Sequence, residues 1–362
     1  MSAVPARLPS LMTPCLVVDL EVLDHNVTAM AIRAGDRGLA LRPHVKTHKC
    51  MEIARRQLDA GACGLTVATV SEAEVFVEAG YRNVFIAYPV WADHARGARV
   101  SALAERCSLR VGVDSVDGAR ALARHTEKAS DFEVLVEVDS GHHRSGVAPE
   151  RAGEVAVAAA RGGLTVRGVF TFPGHSYGPG LAAGAAADEA RALKRAAEVL
   201  DASGLPAQVL SGGSTPTATL TESGTLTEMR PGVYVFGDAQ QLELGTCTVA
   251  DVALTAAATV VSRRPGRVVL DAGSKVLGAD RPTWTTGFGR LPDYPEARLS
   301  ALSEHHVTVT WSETSALPEL GAVLRVMPNH VCTAVNLADE LVVVAGGAVI
   351  DHWQVAARGA NT

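Results

Sequence analysis

The chain has 362 residues, a net charge of −6 and 47% hydrophobic residues with no low-complexity tract, which excludes a disordered protein. Acids and bases are interspersed, so there is no basic footprint for nucleic acid, and no apolar run reaches the length of a membrane span. The length accommodates two domains, or one barrel of about 250 residues with an added unit.

The N-terminal stretch "MSAVPARLPSLMTPC" lacks the apolar core of a signal peptide, and a cytoplasmic location is expected. The next run, "CLVVDL" (15–20), reads as a strand, and "EVLDHNVTAMAIRAG" as a helix. Eight short β-branched runs follow up to residue 237: 38–46, 64–69, 83–89, 108–114, 132–139, 164–172, 207–213 and 232–237. Helix-like stretches rich in Ala, Glu and Arg separate them. One of these, "SEAEVFVEAG", opens on Ser71 as a candidate N-cap and closes on Gly80. Strands alternating with helices in this number predict a (β/α)8 barrel of the TIM type, with a doubly wound open sheet as the alternative.

After residue 246 the rhythm changes to strand-like runs without long helices between them, which predicts a C-terminal all-β domain. The expected division is a segment 1–20 that could join the β domain, a barrel at 21–245, and the β domain at 246–362. The six cysteines, at 15, 50, 63, 107, 247 and 332, form no CxxC pair and are expected to be reduced thiols.

Lysine appears only at 46, 49, 128, 194 and 275, and arginine supplies the remaining positive charge. Two of these lysines lie in "LRPHVKTHKC" (41–50). If 41–48 is a strand, Arg42, His44, Lys46 and His48 share one face, and clustered cations lower a lysine's pKa toward use as nucleophile or base. Lys46 is then the Schiff-base candidate and Lys49 a solvated rim residue. A basic strand on a sheet edge explains the decapeptide equally well.

"LSGGSTPT" (210–217) offers Gly212, Gly213, Ser214 and Thr215 after the seventh run, and "RPGVY" (230–234) offers Gly232 and Tyr234 before the eighth. Barrels often bind phosphate on their last two loops. Each loop alone is an ordinary turn signal. Together with a candidate Schiff-base lysine they point to pyridoxal phosphate. Further on, "PNHVCTAVN" sets His330 and Cys332 two apart, on one side of a strand, where they could share an ion with open positions. A thiolate beside an imidazole favours zinc. By spacing alone, a buried Cys next to a polar His is the commoner explanation.

The runs "TPCLVVDLEVLDHNV", "LRPHVKTHK", "VATVSEAEVFVEAG", "VDSGHHRSGV", "GHSYG", "SGGSTPT", "MRPGVYVFGD", "LDAGSK" and "PNHVCTAVN" together resemble the D-threonine aldolase / D-serine dehydratase family. These are fold-type III pyridoxal phosphate enzymes with an alanine racemase-like barrel and a C-terminal β domain. The resemblance implies that Lys46 carries the cofactor. It implies that Gly213, Ser214, Thr215, Gly232 and Tyr234 hold its phosphate, and that Arg144 and Tyr177 contact the pyridine ring or the lysine. It further implies a homodimer, and His330 and Cys332 as ligands of a divalent metal, expected to be zinc.

A His–Cys pair, in place of His–Asp, resembles the dehydratase branch. So does "FTFPGHSYGPG", which has Phe172 and Gly178 where the aldolase branch carries a Tyr and a further His. The expected reaction is β-elimination from a D-β-hydroxy amino acid to a 2-oxo acid and ammonia, with Lys46 as base. Retro-aldol cleavage to glycine and an aldehyde is the alternative, with His175 the first candidate for the missing His. Racemisation and non-catalytic cofactor binding are more distant readings. Among other polar residues, Arg144 of "HHR" is the expected site member, and Asp139 could orient a neighbour or cap a turn. His25, His94, His125 and His352 have no partner pattern. "LSEHHV" (302–307) departs from the family's usual acidic pair, which leaves Glu304, His305 and His306 without an assigned role.

Overall fold

The computed structural model describes residues 11–126, 132–222, 224 and 226–362. They divide into two compact units. One holds the described residues up to Val27, Thr47–Glu52 and Val233–Arg358; the other holds Thr28–Lys46, Ile53–Gly232 and Gly359–Thr362.

The second unit is built on an eight-stranded parallel sheet. Its order is Leu65–Val67, Asn83–Pro89, Ser108–Val113, Glu133–Glu137, Thr165–Phe170, Val209–Gly212, Glu228–Met229 and Ala40–Leu41. The two outer strands meet. Cys63 N donates to Leu41 O and Thr66 N to Pro43 O, each at 2.8 Å, and His44 pairs in parallel with Thr66. The sheet therefore curls into the expected (β/α)8 barrel. Its strands are buried on both faces, as parallel strands covered by helices must be, and this accounts for their continuous β-branched runs. The helices Val70–Glu78, His94–Ala104, Val116–His125, Ala152–Arg161 and Ala182–Ala202 each return the chain from one strand to the next.

Three local expectations change. The run 232–237 is not the eighth strand; that strand is Glu228–Met229, and Val233–Val235 is one turn of 3-10 helix. Gly237, at φ +63°, closes this turn, so β-branched content alone misled. The helix Val70–Glu78 is capped by Thr69, whose hydroxyl accepts from Glu72 N at 3.0 Å, and not by Ser71. Finally, 41–48 is not a strand: the ladder ends at Leu41, Pro43 has no N–H to give, His44 makes only an isolated bridge to Thr66, and Val45–Thr47 form a 3-10 turn.

Inside the barrel a chain of charges replaces part of the apolar filling. Glu228 accepts from Arg42 Nε (2.7 Å), Arg110 Nη1 (3.2 Å) and Ser211 Oγ (2.7 Å). Glu133 in turn accepts from Arg110 Nε (2.7 Å) and Arg167 Nε (2.6 Å). Burial opposes ionisation of Glu228, but Arg42, Ser211 and Arg110 outweigh it and lower its pKa.

The first unit carries a nine-stranded, mostly antiparallel sheet. Its main path runs Arg298–Leu302, Val307–Thr310, Arg267–Leu270, Leu254–Arg264, Cys15–Asp19, Glu340–Ala345 and Ala348–Gln354. Val323–Pro328 also pairs with Leu254–Arg264, and Gly289–Arg290 with Val323–Pro328. Cys15–Asp19 is parallel to Glu340–Ala345 and antiparallel to Leu254–Arg264. The first ten residues of the segment expected at 1–20 lie outside the described residues. All six cysteines are free. Among the described residues no helix is long and apolar enough to cross a membrane.

Glu228→Gln would leave the 2%-exposed Arg42 guanidinium without its carboxylate. Breaking a buried pair in this way is expected to cost about 3–5 kcal/mol in urea unfolding, while Arg151→Ala, in an exposed pair, leaves the unfolding curve unchanged. A Glu228→Gln curve that overlays the wild type would show that Arg42 does not depend on this carboxylate.

Candidate active site

A cavity of about 480 Å³ in the barrel unit is lined by His44, Lys46, Ala68, Ala87, Tyr88, Pro89, Asp114, Arg144, Ser145, Phe172 and Arg230. This is within the size range of small-ligand sites. Lys46, Arg144 and Arg230 face one aspartate across it, so the cavity favours an anionic occupant. The four residues expected to share a face do not. Arg42 is committed to Glu228 and Asn83, and His44 lines the cavity with Lys46. His48 lies in the other unit, where its Nδ1 accepts from Cys50 N at 3.1 Å. Lys49 is no solvated rim residue. It is 4% exposed, and its Nζ donates to Asn336 Oδ1 at 2.8 Å.

Phe172 organises the cavity wall. Lys46 Nζ lies 5.7 Å and the Arg144 guanidinium 5.2 Å from its ring centroid. The His142 ring meets Phe172 edge-on at 5.6 Å, and the Tyr177 ring is tilted against it at 6.2 Å. Burial, then Arg144 and His175, lower the pKa of His142. His175 packs against Gly141, where a Cβ would sit 3.2 Å from its ring, and its Nε2 is 3.4 Å from Asp188 Oδ2. Asp139 caps the turn and orients a neighbour as well. It accepts from Gly141 N (2.9 Å), His143 N (3.0 Å) and His143 Nδ1 (2.6 Å). Behind Arg144 stands Glu137, 3.9 Å from Arg144 Nη2 and accepting from Ser145 Oγ at 3.1 Å. Burial pushes its carboxyl up to about 6, against the pull of Ser145 and Arg144.

The glycine loop after Val209–Gly212 is held from behind. Gly213 has φ +83° and turns its N–H onto Glu189 Oε1 at 2.6 Å; Ser214 N donates to Thr217 Oγ1 at 2.9 Å. These two amides are engaged within the chain, and the Ser214 hydroxyl also meets Thr217 Oγ1 at 3.1 Å. Ser214 Oγ is 2.9 Å from Ser176 Oγ. Gly232 is in the barrel unit, whereas Tyr234 is in the other, within Val233–Val235. Glu189 is 1% exposed, and burial pushes it up to about 7. The sequence carries a signal for it: Ala185, Glu189, Ala192, Leu193, Ala196 and Leu200 form the buried stripe of Ala182–Ala202, so an acid stands on an apolar face.

In the first unit His330 and Cys332 do not lie on a strand. Val323–Pro328 ends at Pro328; His330 is the N-cap of the helix Val331–Leu337, and Cys332 is in its first turn. They stay close enough to interact across this helix start. Burial disfavours charge on this ring, but Cys332 and Asp238 hold its pKa well above the ordinary imidazole value. A divalent cation would take the place of that proton. The donor set thus fits a metal with two protein ligands; among the described residues no group of three or more His, Cys, Asp or Glu side chains could hold one. Glu304, His305 and His306 form an exposed turn, with Glu304 Oε2 3.0 Å from Lys275 Nζ.

The model of the alanine racemase N-terminal domain matches residues 18–240, and that of a putative serine dehydratase domain matches 253–344. The D-threo-3-hydroxyaspartate dehydratase of Delftia sp. is 34% identical over 94% of this chain and 96% of its own. The D-threonine aldolase of Arthrobacter sp. is 35% identical over 96% and 93%. The chain belongs to the D-threonine aldolase / D-serine dehydratase family. Its members are fold-type III pyridoxal phosphate enzymes, and this chain is an enzyme of that kind. A solved histidine-to-alanine mutant of D-threo-3-hydroxyaspartate dehydratase superposes with a TM-score of 0.87 at 33% identity, covering 95% of both chains. A cysteine-to-alanine mutant of that enzyme, solved in the metal-free form, gives 0.86 at 33%, covering 95% of this chain and 97% of its own. The two mutated positions are two apart in that enzyme, as His330 and Cys332 are here.

Glu189 gives a pH signature. Its ordinary value is 4.5, and in the folded chain it keeps its proton up to about 7. The folded state therefore binds more protons than the unfolded one between these values, and stability falls as pH rises through that window. At about 1.4 kcal/mol per pKa unit the loss is on the order of 3 kcal/mol. Glu189→Gln keeps an acceptor for Gly213 N–H without the charge. Urea unfolding at pH 5 and pH 8 should show a smaller loss in the variant than in the wild type, Glu137, raised as well, contributing to the part that remains; parallel pH dependences would place the titration elsewhere.

Proposed function

We propose that this chain is a pyridoxal phosphate- and divalent metal-dependent lyase that eliminates water from D-β-hydroxy amino acids, giving a 2-oxo acid and ammonia. The observation that carries the reading is the wall of the cationic cavity, where the Lys46 amine and the Arg144 guanidinium both lie against Phe172. Pyridoxal phosphate, when bound, supplies an electron sink at the α-carbon, and the divalent ion supplies a Lewis acid for the β-oxygen.

Lys46 would hold the cofactor and then, freed by the substrate amine, take the α-proton on Nζ. Arg144 would orient the cofactor, with Glu137 and Phe172 fixing its guanidinium. The Ser214 and Thr215 hydroxyls would bind the phosphate, with Gly232 and Tyr234 completing the set carried over from the family. His330 and Cys332 would hold the ion, for which zinc suits an imidazole and a thiolate. The α-proton goes to Lys46, and the β C–O bond breaks with its electron pair leaving on oxygen. The released enamine tautomerises, takes up water and expels ammonia, so the net change is amino acid to 2-oxo acid and ammonia. Phe172 supports elimination over retro-aldol cleavage, because its ring has no group to take a proton from the β-hydroxyl. A homodimer is part of this proposal.

D-Serine, D-threonine and D-threo-3-hydroxyaspartate should each be tested with zinc and with chelator. The expected products are 2-oxo acid and ammonia in equal amounts, with activity lost on chelation and restored by zinc. Glycine with an aldehyde would make the enzyme an aldolase. Lys46→Ala should lower turnover by about 10²–10⁴-fold or more, and borohydride reduction should label the Lys46 peptide. A label on Lys49 would overturn the assignment.

A further inference from the structure

We propose that Asp238 is the positioning residue of the metal centre: it fixes the His330 ring so that Nδ1 carries the proton and Nε2 is presented to the ion. This rests on the reading of His330 and Cys332 as metal ligands.

Asp238 is completely buried and ties two segments of the same unit together. Its Oδ1 accepts from Gln241 N at 2.8 Å, capping the short helix Ala239–Glu243. Its Oδ2 accepts from Val331 N at 3.2 Å and lies 3.4 Å from His330 Nδ1. The residues flanking His330 are held as well. Gln240 N donates to Asn329 O at 3.2 Å, and Asn329 Nδ2 donates to Asp280 O (2.9 Å) and Gly287 O (2.7 Å). The His330 backbone is therefore pinned on both sides, and one edge of its ring is turned to a carboxylate. An imidazole with a carboxylate at Nδ1 takes the tautomer protonated there, which leaves the Nε2 lone pair free.

Asp238 could otherwise be only a helix cap, and the test separates the two roles. Asn caps a helix as well as Asp does, so Asp238→Asn keeps the cap. Its amide would instead donate toward Nδ1 and drive the proton to Nε2. Zinc affinity, measured by competition with a chromogenic chelator on the cofactor-loaded protein, should fall by about 10–100-fold. The cofactor absorption band in chelator should stay as in the wild type, whereas the melting temperature falls, because the amide turned to the ring no longer accepts from Val331 N. Equal zinc affinity in variant and wild type would overturn the proposal. A wild type that takes up no stoichiometric zinc would overturn the metal reading itself, which is a distinguishable result. If Asp238→Asn fails to fold, the cobalt(II)-substituted wild type decides. One hyperfine-shifted, slowly exchanging imidazole N–H proton, lost in His330→Ala, is expected. Its absence, or its fast exchange with water, would show that Asp238 does not hold the ring.

Discussion

A barrel strand only two residues long cannot hold its register through ladder hydrogen bonds alone, and the barrel closes through two of them. Ala40–Leu41 pairs with Glu228–Met229 as Ala40↔Glu228 and Leu41↔Met229. What fixes that seam is the buried ion pair one residue further on, where Arg42 Nε meets Glu228 at 2.7 Å. Two desolvated charges are costly unless fully partnered, and here they are, by Asn83, Ser211 and Arg110. The pair is directional in a way that apolar packing is not: a one-residue slip would take Arg42 away from every one of these partners. Four residues after Arg42 comes Lys46. The position of the cavity amine therefore depends on the ion pair that sets the seam.

Above this layer the positive charge is less closely balanced. Lys46, Arg144 and Arg230 line the cavity with Asp114 as the lining carboxylate, while two further acids stand behind the wall. Glu137 backs Arg144, and Glu189 backs the Gly213 turn. Burial raises both, to about 6 and about 7. Arg230 is itself buried, with Phe85 and Phe170 rings 5.5 and 5.4 Å away and Ser211 at 2.8 Å. Near neutral pH the acids behind the wall therefore cancel only part of the positive charge facing the cavity. An anion entering meets cations at the surface, with the compensating acids one layer deeper.

The elements that the sequence announces are those whose pattern is local. Asn83–Pro89 reproduces the expected strand end to end, and five further runs differ from theirs by only a few residues, because continuous β-branched burial is written in consecutive residues. The failures share another cause. "GVYVFG" has strand composition, but Gly237, at φ +63°, lets it turn. "RPHVKTHK" alternates like a strand, but Pro43 ends the ladder and Lys49 takes φ +50°, so its side chains disperse. "HVCT" keeps its two donors together through a helix start in place of a strand. Asp238, Glu189 and Glu137 are the hardest to read, since their importance comes from burial against residues 24 to 93 positions away or from a single neighbouring arginine. Only the acid on the apolar stripe of Ala182–Ala202 betrays one of them in advance.

The choice between the two reactions open to this family turns on the β-oxygen. Elimination needs that oxygen to leave with the electron pair, which an acid promotes. Retro-aldol cleavage needs it to lose its proton and become a carbonyl, which a base promotes. The chain's own residues lean one way. Phe172 puts hydrocarbon beside Lys46, where a phenol would offer a proton acceptor. His142, beside the same ring, is lowered by burial and by Arg144 and His175, which makes it a weaker base than a free imidazole. Both features support the elimination proposed above over retro-aldol cleavage.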